Sequence, residues 1–200
     1  MKVNEIFESI QGEGRHAGLP VLFIRLSGCN MNCVFCDTKH HKTGEDMTTQ
    51  QIVDRILQQE KTHIVWTGGE PILQIDGIKD VINSLKQQSK TYYYHHLETN
   101  GELLQNNNVR DWFYYICVSP KTTQTAEIVS KLDIDDVKVV TDTSLHSDMI
   151  QYATMLMPIT TQDKKRNEII QQNVWWFSVE NNIRFCLRQH YVVWGHKRGV

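Results

Sequence analysis

The sequence lacks a long hydrophobic run and has no excess of charge of one sign. No stretch reaches the roughly 18 consecutive apolar residues of a membrane-spanning helix, and residues 1–4 do not begin a signal peptide. The 21 basic and 23 acidic residues give a formal charge of −2, which does not favour binding to nucleic acid or to a membrane by bulk electrostatics. We therefore expect a cytoplasmic protein that binds neither.

The sequence also lacks the even number of cysteines that a disulfide framework needs, because it has five. Without an export signal, these cysteines are better explained as reduced thiols. Cys117 and Cys186 lie in apolar segments, where a free cysteine is usually a small core residue. We assign no chemistry to these two.

Length and periodicity predict a single α/β domain over residues 1–200. Two hundred residues suit one sizeable core, and we find no internal repeat or low-complexity segment. Apolar strands alternate with amphipathic helices, as in the strand at residues 64–66 and the helix at 75–86. This order favours βα units with a mostly parallel sheet. A complete eight-stranded barrel usually takes about 250 residues, so we expect an incomplete βα barrel.

Several boundaries can be predicted from local signals. Thr48 followed by Gln51 is typical of the capped start of a helix. Further strands are expected at residues 112–118, 137–140 and 154–158, and a polar helix at about 162–172. The glycine-rich segment at 4–20 indicates a sharp turn or a close approach to a ligand.

The other three cysteines, Cys29, Cys33 and Cys36, have the spacing C-x3-C-x2-C and follow a predicted strand at 21–27. Thiolates on one tight loop suit an iron–sulfur cluster or zinc. Three ligands would leave one iron of a four-iron cluster open, whereas structural zinc needs four ligands. His40 or His41 could supply the fourth, so the loop alone leaves both alternatives open.

Polar groups also follow other predicted strands, at residues 67–70, 98–100 and 119–121. In barrels and open α/β sheets, ligands bind at the carboxyl ends of the strands. Gly68 and Gly69 would expose the backbone there, and the Glu70 carboxylate could accept hydrogen bonds from an ammonium group. We expect a binding site at this edge.

The motifs together resemble a known enzyme superfamily. The cysteine motif, with Phe35 before its last cysteine, and a GGEP segment after a later strand resemble the radical S-adenosylmethionine superfamily. SIQGEG, FIRLSGCNMNCVFCDTKH, TGGEP, ETNG, SPK and a late QH are similar, over essentially the whole chain, to the 7-carboxy-7-deazaguanine synthase family. One departure is Met157, where the family pattern leads us to expect a glutamine.

The resemblance implies a lyase of 7-deazapurine (queuosine) biosynthesis. It would convert 6-carboxy-5,6,7,8-tetrahydropterin to 7-carboxy-7-deazaguanine with loss of ammonia. Cys29, Cys33 and Cys36 would hold a 4Fe–4S cluster whose open iron binds S-adenosylmethionine, the source of a 5′-deoxyadenosyl radical. No side chain is assigned as a catalytic acid or base, because the cofactor carries the chemistry.

The resemblance also implies residue roles. Thr38 is matched to a Mg²⁺ ligand. The contacts implied for S-adenosylmethionine are Phe35, Cys36, Asp37, Gly69, Glu70, Ser119, Pro120 and Lys121. Those implied for the substrate are Ile10, Gln11, Gly12, Arg25, Thr67, Glu98, His190 and Val200. A guanidinium binds a carboxylate bidentately, although Arg25 could instead be an ion-paired or solvated arginine, and His190 a structural histidine.

The expected partners are the pterin substrate, a flavodoxin- or ferredoxin-type electron donor and a second copy of the chain in a homodimer. Two alternatives stay open. An activase of the same superfamily would share the cysteine loop and GGEP but would not need Arg25 or the QGEG turn. A zinc-stabilised binding module would need no open iron.

Overall fold

The computed structural model describes residues 1–33, 36, 42–145, 147–195 and 197–200. The strands within them are β1 (Lys2–Ile10), β2 (Pro20–Leu26), β3 (Glu45–Asp46), β4 (His63–Gly68), β5 (Tyr94–Thr99), β6 (Tyr115–Val118), β7 (Asp136–Thr141), β8 (Met155–Pro158) and β9 (Arg184–Phe185). The helices are α1 (Thr49–Leu57), α2 (Ile75–Gln88), α3 (Thr123–Val129), α4 (Lys164–Glu180) and α5 (Gln189–Trp194). Short 3-10 turns occupy Pro71–Gln74, Leu104–Asn106, Arg110–Trp112 and Ile150–Tyr152.

The strands form one sheet in the order β3-β1-β2-β4-β5-β6-β7-β8-β9. From β2 to β9 neighbouring strands are parallel, whereas β1 pairs antiparallel with β2 and with β3. Within the described residues the sheet does not close on itself. The prediction of an incomplete, mostly parallel βα barrel is confirmed.

The two faces of the parallel strands differ in chemistry because side chains alternate along a strand. Leu22, Ile24, Trp66 and Leu97 are fully buried or nearly so and belong to the large apolar core that also contains the inner faces of α1 and α2. The intervening residues point to the barrel interior, where several polar side chains line a cavity. The helices therefore cover one face, and the other is left for binding.

Histidine and tyrosine rings fill the interior at the amino ends of the parallel strands. His16, on the loop between β1 and β2, packs edge-on against His96 and Tyr115, with ring centroids 4.9 and 4.6 Å away. His63 Nδ1 lies 2.9 Å from His96 Nε2. Burial, reinforced by the neighbouring histidines, lowers the pKa of His96 to about 3, and burial also lowers the pKa of His16 and His63, so these three rings are uncharged at neutral pH.

The boundary predictions have mixed outcomes. The capped start of α1 is confirmed: Gln51 N donates to Thr48 Oγ1 at 3.2 Å, and Thr48 N donates to Gln51 Oε1 at 2.8 Å. The strand expected from 112 begins only at Tyr115, because a 3-10 turn occupies Arg110–Trp112. The helix expected at 162–172 extends to Glu180 as α4 and is not polar throughout, since its second half contains Trp175 and Trp176.

Other elements were not predicted. Residues 2–10 form β1 rather than part of the glycine-rich turn, which begins at Gln11. The short helices α3 and α5 have too few turns to show a periodicity. None of the helices in the described ranges has the length and hydrophobicity needed to span a membrane.

Candidate active site

A cavity of about 300 Å³ opens inside the barrel near the carboxyl ends of the parallel strands. This volume is at the lower end of the range for small-molecule sites. Many residues predicted for the site line it: Ile10, Gln11, Arg25, Thr67, Gly69, Glu98, Ser119, Lys121, His190 and Val200. The structure thus brings together residues from both ends of the chain and from β2, β4 and β5.

The three motif cysteines lie on the loop that leaves β2. Cys29, Cys33 and Cys36 are half-buried free thiols, and Cys36 N donates to the carbonyl of Cys33 at 3.2 Å. Burial raises the pKa of Cys29, and Glu70 and the other two cysteines add to this. Phe35, Asp37 and Thr38 lie outside the described residues, as do His40 and His41, so their roles stay predictions.

The glycine turn after β4 is joined to the base of the cysteine loop. Gly69 N donates to the Leu26 carbonyl at 3.0 Å, and Glu70 N donates to the Gly28 carbonyl at 2.8 Å. A Cβ atom on Gly69 would lie 1.9 Å from the Gly28 carbonyl oxygen. Glycine at 69 is therefore required by the close approach of two backbones.

Glu70 links this turn to the end of β5. Its side chain is fully buried; Oε1 accepts from Thr99 Oγ1 at 2.7 Å and Ile72 N at 3.0 Å, and Oε2 accepts from Asn100 N at 2.8 Å. Burial raises its pKa. Glu70 thus has a structural role that the sequence did not indicate, and its contact with an ammonium group stays a prediction.

Asn100 connects the end of β5 to the cysteine loop. Its Nδ2 donates to Asn30 Oδ1 at 2.9 Å and lies 3.9 Å from Cys29 Sγ. Asn100 belongs to the ETNG motif, but the sequence alone indicates no role for this side chain. Three neighbouring side chains of that motif therefore contact different parts of the site. Glu98 lines the cavity, Thr99 donates to Glu70, and Asn100 donates to Asn30 beside the cysteines.

Three predicted substrate residues form one hydrogen-bond network. Gln11 Nε2 donates to Glu98 Oε1 at 2.9 Å, and Thr67 Oγ1 donates to Glu98 Oε2 at 2.9 Å. A carboxylate oxygen can accept two hydrogen bonds. Each oxygen of Glu98 therefore keeps a further acceptor position beside the cavity.

Arg25 lies on β2 beside this network, paired in the sheet with Thr67 on β4. Its Nε is 2.7 Å from Glu5 Oε1, and both side chains are half-buried. Its two terminal nitrogens make no hydrogen bond to any residue that the structure describes. The alternative that Arg25 is ion-paired is thus correct for Nε, and the terminal nitrogens are the donors left for a ligand.

The remaining predicted residues lie at the wall or behind it. A Cβ atom on Gly12 would lie 2.6 Å from His190 Nδ1, so the N-terminal loop packs directly against α5. Lys121 Nζ donates to Ser119 Oγ at 2.9 Å across the buried Pro120. Val200 lines the mouth near Arg198, whose Nη2 lies 3.3 Å from Glu5 Oε2.

Sequence reasoning missed a group of ions at the cavity: Glu13, Lys138 and Arg188. Burial alone would raise the pKa of Glu13, but Lys138 and Arg188 beside it lower the pKa to about 2. The missed signal was Lys138 itself, a charged residue among the valines of β7 (VKVV, residues 137–140). Phe7, Phe23, Val140 and Met157 form apolar parts of the lining.

The chain is similar to several known proteins. The Radical SAM superfamily profile matches residues 23–119. A 7-carboxy-7-deazaguanine synthase of Bacteroides thetaiotaomicron is 41% identical over 139 residues, which are 70% of this chain and 69% of that protein. One of Pyrobaculum aerophilum is 28% identical over 222 residues, covering all of this chain and 97% of the relative. The crystal structure of QueE from Escherichia coli has a TM-score of 0.65 over 94% of both chains at 22% identity, which shows the fold alone.

The incomplete barrel, the three-cysteine loop at its carboxyl edge and the profile match define a radical S-adenosylmethionine enzyme. Within that class, the 41% identity to the Bacteroides protein determines the family. The chain belongs to the 7-carboxy-7-deazaguanine synthase family. This membership decides against the activase and the zinc module.

Enzymes of this class use a 4Fe–4S cluster and S-adenosylmethionine, and the cysteine loop fits that cluster chemically: three free thiols on one loop are soft ligands. Among the residues that the structure describes, no three His, Cys, Asp or Glu side chains are arranged to hold a single metal ion. The Mg²⁺ predicted at Thr38 falls outside the described ranges.

Proposed function

We propose that the chain converts 6-carboxy-5,6,7,8-tetrahydropterin to 7-carboxy-7-deazaguanine and releases ammonia. The observation that carries this proposal is the pair of complementary groups in the cavity: the guanidinium of Arg25 on β2 and the carboxylate of Glu98 on β5. Thr67 on β4 lies between them, opposite Arg25 in the sheet. Two strand spacings are about 10 Å, comparable to the length of a carboxylated two-ring pterin.

Each end of that substrate matches one of these groups. The terminal nitrogens of Arg25 would bind the carboxylate in a bidentate manner. The free acceptor positions of Glu98 would bind the two parallel N–H donors of the aminopyrimidinone ring. Ile10, Gln11, Gly12, His190 and Val200 would complete the enclosure, since they lie at or directly behind the lining.

Cys29, Cys33 and Cys36 would hold the cluster, and Phe35, Asp37, Gly69, Glu70, Ser119, Pro120 and Lys121 would hold S-adenosylmethionine. When bound, the cluster and S-adenosylmethionine would supply the radical chemistry for hydrogen abstraction from the substrate. The protein fixes the position of that carbon and excludes water. Met157 lines the cavity, so a thioether would lie where the family pattern has an amide.

Three finer points belong to the same proposal. Thr38 would bind a Mg²⁺ ion, which prefers oxygen ligands. A flavodoxin- or ferredoxin-type protein would donate the electron that the reaction requires. The active form would be a homodimer.

The test is anaerobic reconstitution with iron and sulfide, followed by incubation with S-adenosylmethionine, reductant and the carboxypterin. We expect mass spectrometry to detect 7-carboxy-7-deazaguanine and a colorimetric assay to detect an equal amount of ammonia. Cys33→Ala should lose iron and product, whereas Cys186→Ala, a change at a buried cysteine away from the loop, should keep both. Cleavage of S-adenosylmethionine without consumption of the pterin would refute the assignment.

A further inference from the structure

A buried lysine in the cavity wall, Lys138, has no part in the proposed reaction. It lies in the middle of β7, and its side chain is only 7% exposed. A buried ammonium group is strongly unfavourable unless a carboxylate compensates it. Such a residue at a binding cavity therefore needs a specific partner.

That partner is Glu13, on the loop between β1 and β2. Lys138 Nζ forms a short ion pair with Glu13 Oε2. Arg188 Nε lies 3.4 Å from Glu13 Oε1. One carboxylate is thus held by cations from two different elements, β7 and the segment before α5. The contact fixes the tip of an N-terminal loop to a strand 125 residues further along the chain.

Glu13 in turn determines the orientation of Gln11. Glu13 N donates to Gln11 Oε1 at 3.2 Å, while Gln11 Nε2 donates to Glu98 Oε1 at 2.9 Å. Because the two ends of an amide differ chemically, these two bonds permit one orientation of the Gln11 side chain. Glu98 is then held on one side by Gln11 and on the other by Thr67.

We propose that Lys138 is a positioning residue for recognition of the heterocycle. By anchoring Glu13, it holds the loop so that Gln11 keeps the Glu98 carboxylate in place for the substrate. This inference rests on the proposed function. Lys138 acts through Glu13, since its ammonium group is engaged by that carboxylate.

The main test is Lys138→Met, which keeps the length of the side chain and removes its charge. We expect the KM for the carboxypterin to rise on the order of ten- to a hundredfold. The KM for S-adenosylmethionine and the iron content should not change, because the cysteine loop is bonded to Glu70 N and Asn100 instead. The Kd for the pterin, measured by anaerobic calorimetry, should rise in parallel with its KM.

Two further variants distinguish a positioning role of Lys138 from a purely stabilising one. Lys138→Arg should restore most of the pterin affinity, because a guanidinium can pair with the same carboxylate. In the double variant Glu13→Gln with Lys138→Met, the two rises in pterin KM should not add, since both changes break the same ion pair. Glu13→Gln alone should show the same selective rise in KM, and it serves as the test should Lys138→Met fail to fold.

The matched control is Lys131→Met on the outside of the protein, where the lysine pairs with Glu127 at 2.8 Å and is 68% exposed. It should leave every parameter unchanged. An unchanged pterin KM in folded Lys138→Met, or an equal rise in both KM values, would overturn the inference while the proposed function stood. If the wild type itself neither bound nor converted the pterin, the proposed function would fail, and the inference with it.

Discussion

At the scale of single residues, the site depends on glycines, because the lack of a side chain lets neighbouring segments approach closely. Gly69 lies where the turn after β4 meets the carbonyl of Gly28, and Gly68 has a φ of +130°. Gly12 leaves the space that His190 Nδ1 approaches. These glycines allow the cysteine loop, the β4 turn and α5 to meet closely around one cavity.

Gly69→Ala should therefore separate the cysteine loop from β4. The added methyl group would lie 1.9 Å from a backbone oxygen, so the backbone must shift, and we expect about 1–3 kcal/mol of lost stability together with a large loss of bound iron. Chemical denaturation and iron analysis measure the two effects. Gly77→Ala is the matched control, because its methyl would meet only the flexible Met1 side chain; iron loss in both variants would argue against our explanation.

Residue roles were predictable where one short motif carries the chemistry. The cysteine spacing and the GGE turn are local, so both pointed to the correct edge of the sheet. Glu70 shows the limit of this reasoning: the sequence indicates a carboxylate at the site but not that Thr99, Asn100 and Ile72 already donate to it. Those donors come from the chain's path in three dimensions.

At the scale of elements, α1 shows how far local signals reach. Its start is fixed by the reciprocal bonds of Thr48 and Gln51, both visible in the sequence. The end of α4 could not be predicted from the sequence, because the second half of this helix is apolar on more than one side. Val174 is buried, whereas Trp175, Trp176 and Val179 are more than half exposed. With no clear amphipathic periodicity, the pattern gave no basis for extending the helix.

Thr48→Ala should destabilise the fold by about 1 kcal/mol, since it leaves the Gln51 N–H without its acceptor. We expect the midpoint of thermal unfolding to fall by about 2–4 °C. Thr48→Ser keeps the hydroxyl and should retain most of the stability. If serine and alanine were equally destabilising, the hydroxyl would not be the stabilising group.

At the scale of the whole molecule, the interior of the barrel has two parts, a histidine-rich layer at the amino ends of the strands and the charged cavity at the carboxyl ends. Burial lowers the pKa of His96 in that layer to about 3, and does the same to His95 on the opposite, helix-covered face of β5. Trp66 Nε1 donates to His95 Nδ1 at 3.1 Å, which requires that nitrogen to be unprotonated. The folded state thus binds fewer protons than the unfolded chain below pH 6.5, the ordinary pKa of histidine.

Stability should therefore fall as the pH drops below about 6.5. Each such histidine contributes a slope of up to about 1.4 kcal/mol per pH unit, and Glu13 adds to the loss below its ordinary pKa of 4.5. His96→Phe should reduce the slope of the unfolding free energy against pH, between about pH 6 and pH 4, by the contribution of one histidine. Urea unfolding at several pH values measures this slope. Tyr94→Phe, in the same ring cluster, keeps every histidine and serves as the control; an equal change in both variants would contradict the assignment.

The overall architecture was predictable because alternating strands and helices leave few topologies. The ionic part of the site was not. Lys138 is separated by 125 residues from Glu13, and nothing near either residue in the sequence identifies the other. Arg188 joins them only because β9, two residues long, returns the chain to the cavity.

The two-residue alternation of the barrel strands has an evolutionary consequence. Arg25, Thr67, Glu98 and Lys138 reach the cavity because each lies on the inward-facing positions of its strand. Losing or gaining a single residue inside one of these strands would turn that strand's inward-facing residue outward and replace it with an aliphatic neighbour, such as Ile24 on β2 or Leu97 on β5. Descendants of this enzyme can therefore vary in length freely between strands but hardly at all within them.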